Sequence, residues 1–246
     1  MNKNATGTRS LVIDVGLFSG EEFFYAIKHG FEVVGFEPSP ESFPKLEKMC
    51  NAQPTCNVVD LDNVSLPLQR EAGQSYLINA AAGNKPAVMQ LMLSGPATSL
   101  TANHRLKDQN KVDVKVVRID DIIRDDVYIL KVDTQGFDQF VLEGASELLK
   151  NHVVRQVIVE VDPYNMGFHN HTVQSFLDLF QDNGMVCFQT HSDTHGNCQY
   201  FGESVKGFEK VFDGAPHKYK RWAECFEDFL CLNVEKEYPG KMPGMM

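Results

Sequence analysis

The chemistry legible first lies in seven consecutive residues, Asp14-Val15-Gly16-Leu17-Phe18-Ser19-Gly20, and in Glu37, 23 positions after Asp14 (37 − 14). The residues before Asp14 are apolar and read as a buried strand, so the seven form a turn from strand into helix. Gly16 and Gly20 let the backbone bend sharply and pass close to a ligand. Glu37 ends the next apolar run, where a carboxylate accepts hydrogen bonds from the two hydroxyls of a ribose. A dinucleotide at such a turn needs G-x-G-x-x-G, whose second glycine admits the diphosphate to the helix N-terminus. Phe18 occupies that position, and its ring blocks a diphosphate. S-adenosyl-L-methionine carries no phosphate and bears a sulfonium cation. A turn that starts with Asp14 and holds no Lys or Arg suits it better. The bland alternative makes Asp14 a turn former and Glu37 a solvated strand end.

The elements around these residues alternate short apolar runs with amphipathic ones, which predicts a parallel sheet with helices on both faces. Strands are expected at 11–15, 32–36, 76–80, 88–93, 112–119, 128–132, 153–161, 185–190 and 229–234. Ser19 and Glu22 have the spacing of a capping box for a helix running to His29. Ser39-Pro40 opens a second helix, with Phe43, Leu46 and Met49 on one face. Asp120 and Asp121 begin a short helix. Longer ones are expected over 138–150 and 172–183. Residues 51–73 are ambiguous, 94–111 read as a polar loop, and 191–220 as an aromatic-rich excursion.

With 43% hydrophobic and 23% charged residues among 246, the chain has the make-up of a folded protein. Its length suits one α/β domain over 1–246, with loose ends at 1–9 and 236–246. Acidic residues outnumber basic ones 33 to 23, a net charge of −10 that repels a phosphate backbone and excludes non-specific nucleic-acid binding. No apolar run reaches the roughly 20 residues of a membrane span, and the first ten residues lack the apolar core of a secretory leader. The six cysteines (Cys50, Cys56, Cys187, Cys198, Cys225, Cys231) form no CxxC pair and are expected as reduced thiols in a cytoplasmic protein. Three N-x-S/T tripeptides begin at Asn4, Asn63 and Asn170. They signal N-glycan acceptors and also arise by chance.

Five segments then occur in a telling order: DVGLFSG at 14–20, GFEPSP at 35–40, INAAAG at 78–83, VRIDD at 117–121 and LKVDTQGFDQFVLEGA at 130–145. Together they resemble the FkbM family of S-adenosylmethionine-dependent methyltransferases. The last block, K-x-D-x-x-G-x-[DE] leading into V-L-x-G-A, is the most specific. The resemblance implies a Rossmann-like, doubly wound, mostly parallel sheet of the class I methyltransferase type, with S-adenosyl-L-methionine as cofactor. It implies that Asp14, Gly16, Ser19 and Gly20 serve the methionine end. Glu37 would hold the ribose, and Pro38 would shape the turn after it. Asn79 and Ala80 would lie near the adenine, and Ser99 in a serine-containing segment beside the cofactor. The family's acceptors are hydroxyls of sugars and natural products. Gln135 and Asp138 stand where many members have two glutamates, and Gln135 cannot ionise.

Methyl transfer to a hydroxyl needs alignment, exclusion of water and removal of one proton. Asp133 and Glu160, at the ends of two adjacent expected strands, are the candidate bases. Asp133 is otherwise a turn residue binding backbone amides, and Glu160 otherwise a salt-bridge partner of Lys131. Fold analogy alone suggests a metal at such acids, and none is assigned. His169, His171, His191 and His195 read as solvated loop residues. The resulting expectation is an O-methyltransferase acting on a small-molecule hydroxyl. Its alternatives are a non-catalytic module of the same fold and, more remotely, a nicotinamide-dependent oxidoreductase.

Overall fold

The computed structural model describes residues 10–93, 100, 111–151, 154–161, 166–167, 169–191 and 227–233. In β1 (Leu11–Val15), side chains alternate between two cores, as the two-residue period of a strand covered on both faces requires. Leu11, Ile13 and Val15 join one core and Val12 the other. β2 (Glu32–Phe36) divides in the same way, with Val34 and Phe36 opposite Val33. The Val12 face is covered by α1 (Glu21–Lys28) and α2 (Phe43–Asn51), through Phe23, Ile27, Phe43 and Leu46.

β3 (Cys56–Val59) and β4 (Ser75–Ile78) complete one half of the sheet. β5 (Ala81–Ala82), β6 (Ala87–Met92) and β7 (Lys111–Val117) form a separate three-stranded sheet in the order β5-β7-β6. After α3 (Ile119–Ile122), the chain re-enters the main sheet as β8 (Val127–Val132). It continues through α4 (Asp138–Glu143), α5 (Ser146–Asn151), β9 (Val154–Val161), α6 (Val173–Asp182), β10 (Met185–His191) and β11 (Glu227–Asn233). Val141, Leu142, Leu148, Phe176 and Phe180 from these helices bury the second face. The eight strands lie in the order β10-β11-β9-β8-β1-β2-β4-β3. All neighbours are parallel except β11, which runs antiparallel to both β9 and β10. This is the expected doubly wound, mostly parallel sheet.

Several local expectations are corrected. The N-cap of α1 is Gly20, in a left-handed conformation (φ 77) and with no side-chain cap. Ser19 is exposed, so the Ser19–Glu22 capping box does not form. α2 begins after Ser42, because the Ser39 carbonyl accepts from the Ser42 and Phe43 N–H groups and closes a turn there. Met49 faces solvent and Cys50 takes the buried place. The helix expected over 138–150 is two helices, broken at Gly144. A Cβ on Gly144 would collide with the Gly83 carbonyl, so the chain is pinned there by a backbone contact no other residue admits.

The reduced-thiol expectation is overturned for four of the six cysteines. Cys50 is disulfide-bonded to Cys56, and Cys187 to Cys231. The second pair joins residues that face each other across β10 and β11, a proximity set by strand register that no sequence spacing reveals. Cys198 and Cys225 lie outside the described residues.

At the amino end of β2, buried Glu32 accepts from Arg70 Nη1 (3.0 Å) and from the Gly73 N–H (2.7 Å). Arg70 Nε also donates to Asp125. Arg70→Met leaves Glu32 buried without its cation and is expected to cost about 3 kcal/mol. Urea denaturation should show a lower midpoint at unchanged slope. The Glu32→Met/Arg70→Met double variant should recover most of the loss. An Arg70→Met protein as stable as the parent would remove this pair from the supports of the fold.

Candidate active site

From β1 the chain builds outward through β2 to the β4–β3 edge, then returns to add β8 on the opposite side of β1. The carboxyl ends of β1 and β8 therefore flank the point where strand order reverses, the usual seat of a ligand in such sheets. A cleft of ≈ 270 Å³ opens there. Its walls include Gly16 and Phe18 after β1, Glu37, Pro38 and Ser39 after β2, and Asp133, Thr134 and Gln135 after β8. Ala81, Ala82 and Leu91 of the small sheet close another side.

Gly16 has φ 87, and a Cβ there would overlap the Asp133 carbonyl. Its N–H donates to the Phe36 carbonyl (3.1 Å), while the Asp133 N–H donates to the Val15 carbonyl (3.0 Å). The close approach expected of this glycine is thus to its own chain. It draws the loops after β1, β2 and β8 together.

Phe18, at φ 46, donates its N–H to Glu37 Oε2 (2.8 Å) and leaves its ring half-exposed on the wall. Ser39 N–H donates to Glu37 Oε1 (2.8 Å). The Leu17 backbone also bears on this carboxylate, so three points of the two loops hold it in place. Burial pushes the Glu37 pKa up, against the opposing pull of these backbone hydrogen bonds.

Asp14 lies one residue beneath the wall, 2% exposed. Lys131 Nζ stands 3.4 Å from its Oδ1 and 3.7 Å from Asp133 Oδ2. The first is an ion pair without hydrogen-bond alignment, so Asp14 Oδ1 is buried and lacks a hydrogen-bond donor. Burial, opposed by Lys131, pushes the Asp14 pKa up to about 6.

On the other side, Gln135 (φ 55) turns its amide between two acids. Its Nε2 donates to Glu160 Oε2 (2.7 Å) and to Asp133 Oδ1 (3.2 Å). Glu160 is therefore not the partner of Lys131. The loop holding Gln135 is tied by Asp138, which accepts from the Thr134 N–H (2.8 Å), the Thr134 hydroxyl (3.0 Å) and the Gly136 N–H (2.9 Å). Burial pushes the Asp138 pKa up to about 6.

Of the residues expected at the site, Gly16, Glu37, Pro38 and Asp133 line the cleft. Glu160 joins it through Gln135, and Asp14 through Lys131. Ser19 is exposed and off the wall, and Gly20 packs against Leu46 and Phe24. Asn79 lines a neighbouring depression that shares Pro38 with the cleft, and Ala80 is buried in the core. Ser99 lies outside the described residues, as do His195 and the stretch 192–220. Sequence reasoning missed Ser39, Ala81, Ala82, Thr134 and the bridging role of Gln135. Gln135 was visible as a departure from the family pattern, but its role depends on a positive φ that no residue type announces.

The histidine expectation is corrected for His169 and His171, which are partly buried. Their rings pack on Phe140 at 5.0 and 4.4 Å, and His169 also meets the wall residue Phe137 edge-on. Burial lowers both pKa values.

A family model described as Methyltransferase FkbM domain matches residues 14–187. No curated protein matches the chain in sequence. Among solved structures, the chain is similar to methyltransferase FkbM of Methylobacillus flagellatus KT, with 18% identity and a TM-score of 0.43. That match covers 71% of this chain and 36% of the other. SMU.1697c of Streptococcus mutans, solved in complex with SAH, aligns at 9% identity and TM-score 0.45, over 92% of this chain and 89% of its own. The plantazolicin methyltransferase BpumL, also solved with SAH, aligns at 10% and 0.41, over 93% and 78%. The family match runs from Asp14 near the end of β1 to Cys187 in β10 and takes in every residue of the cleft wall, so the chain belongs to the FkbM methyltransferase domain family.

Proposed function

We propose that the chain is an S-adenosyl-L-methionine-dependent O-methyltransferase acting on the hydroxyl of a sugar or natural-product-like small molecule. The observation that carries the reading is the charge around the cleft. Glu37 and Asp133 line it, Asp14 and Glu160 stand just behind its wall, and Lys131 is already paired with Asp14 and Asp133. That setting favours a cationic adenosyl ligand and opposes a diphosphate. Asp14 adds to that charge from beneath the wall, where Lys131 offsets part of it.

Bound there, the cofactor supplies a methyl group on a sulfonium that is already activated for displacement. Glu37, held by its backbone donors, would accept hydrogen bonds from the ribose hydroxyls, and Pro38 would shape the turn after it. Gly16 and the Asp14 charge hold the amino-acid end. The adenine side is assigned to the wall residues Ala81 and Ala82, with Asn79 at its edge beyond Pro38. Asp133 and Glu160, fixed relative to one another by the Gln135 amide, orient the acceptor hydroxyl and take its proton.

Glu37→Gln replaces an acceptor by an NH₂ group, which must face the Phe18 or the Ser39 N–H. A loss of about 1–3 kcal/mol in SAH binding is expected by calorimetry, and unchanged affinity would remove Glu37 from the ribose role.

Asp14 has its folded-state pKa raised to about 6 from 3.8. The folded chain therefore keeps a proton where the unfolded chain has lost it, and stability falls as pH rises from 3.8 to about 6. The resulting penalty at neutral pH is on the order of 3 kcal/mol. Asp14→Asn should raise Tm at pH 7.5 and not at pH 4, while weakening SAH binding severalfold at pH 7.5. A Tm change equal at both pH values would contradict the burial argument.

The function itself is tested by incubating the protein with methyl-labelled cofactor and a panel of sugars and phenolic or aliphatic alcohols. Transfer to oxygen, reduced at least tenfold by Asp133→Asn, is expected. Cofactor binding with no transfer to any acceptor would favour a non-catalytic module of this fold.

A further inference from the structure

We propose that the chain matures in an oxidising, glycosylating compartment and carries an N-linked glycan on Asn63. The inference is independent of the methyl-transfer reading and rests on two features that reading leaves unused. The first is the pairing of every described cysteine. Cys50, Cys56, Cys187 and Cys231 are all buried. One disulfide ties the end of α2 to edge strand β3, and the other ties β10 to β11. Enclosed, structural disulfides of this kind form and persist where thiols are oxidised. Each forms as two thiols give two protons and two electrons to a disulfide of the compartment's oxidoreductases.

The second feature is the set of three acceptor tripeptides, which the structure distinguishes. Asn4 lies outside the described residues. Asn170 has φ 58 and stands between His169, whose ring meets the cleft-wall residue Phe137, and His171, whose ring packs on Phe140. The hydroxyl oxygen of its Thr172 is committed to the cap of α6, where it accepts the Ser175 N–H. A glycan on Asn170 would crowd the side of the cleft.

Asn63 has the opposite setting. It is exposed in the turn after β3, the outermost strand, and Ser65 of its tripeptide is exposed as well. No residue from 60 to 65 lines the cleft. Asp60 shapes the turn, accepting from the Asp62 N–H on its side chain and from the Asn63 N–H on its carbonyl. Asn63 Nδ2 donates to Asp60 Oδ2. A glycosylated amide keeps one N–H, so that bond survives modification. Surface turns of this kind are where such acceptors are used. In the transfer, Nδ2 bonds to the anomeric carbon of a lipid-diphosphate-linked oligosaccharide. The carbon–oxygen bond to the diphosphate breaks, the amide releases one proton, and the diphosphate leaves with the electron pair.

The test uses the full chain isolated from its source cells, with thiols alkylated at lysis. Peptide mass mapping before and after peptide N-glycosidase treatment is expected to show Asn63 converted to Asp by the glycosidase. Cys50, Cys56, Cys187 and Cys231 should resist alkylation until reduced. Ser65→Ala, expressed in the same cells, should lose that glycan and bind SAH as the parent does. Free thiols at these four cysteines would overturn the proposal. So would an unmodified Asn63, or a glycan found only on Asn4 or Asn170.

Discussion

The site depends on one close backbone approach, that of Gly16 to the Asp133 carbonyl. Two parallel strands can pair along their length and still let their following loops diverge. Here the Val15 carbonyl accepts the Asp133 N–H while the Gly16 N–H reaches the Phe36 carbonyl, so the ends of β8, β1 and β2 are tied in series. A side chain at position 16 would force β8 away from β1. Lys131 would then lose its place between Asp14 and Asp133, and the cleft would open at the point where ligand and acceptor must meet. Most of the polar groups follow from this contact, because Asp14, Glu37, Asp133 and Gln135 belong to the three strand ends it joins, and Glu160 of β9 is added through Gln135.

Those polar groups are arranged against the stability of the chain. Asp14 and Asp138 are buried acids whose ionisation is opposed by their surroundings, and Glu37 is pushed the same way. Backbone amides offset part of the cost at Glu37 and Asp138, three of them donated by residues of sparsely populated conformation or their neighbours: Phe18, Thr134 and Gly136. Buried acids held by strained loops are a common mark of a site organised before its ligand arrives. The same arrangement explains why Phe18 and Gln135 tolerate positive φ. Phe18 delivers its N–H to Glu37, and Gln135 delivers its amide to two carboxylates.

Much of the fold was legible because burial on both faces of a parallel sheet leaves continuous apolar runs, and β1, β2, β8 and β9 are such runs. β3 was not, since four residues at an edge, half of them solvent-facing or nearly so, carry no pattern distinct from the turns around them. The break at Gly144 was hidden because its cause is Gly83, 61 positions away (144 − 83). For the site, acids at strand ends could be named from position alone, and Glu37 and Asp133 both line the cleft. Ser19 is exposed because Gly20, in a left-handed conformation, takes the N-cap position expected for it. The cysteine pairing was invisible for the same kind of reason: Cys187 and Cys231 meet through the register of β10 against β11.

That register also bears on how the acceptor half of the sheet is held. β11 is the antiparallel strand, inserted between β9 and β10 by a connection of 35 residues (192 to 226). Closing so long a connection costs conformational entropy that grows only slowly with its length. A disulfide spanning 44 positions removes about 4 kcal/mol of that entropy from the unfolded chain in the loop-closure picture. β9 carries Glu160, and β11 is its outer neighbour, pairing Asp228 opposite Glu160. The bond between β10 and β11 therefore secures the strand that covers β9, and through Gln135 the position of Asp133 follows. The half of the cleft that holds Asp133 and Glu160 is supported from outside by a covalent tie that touches neither.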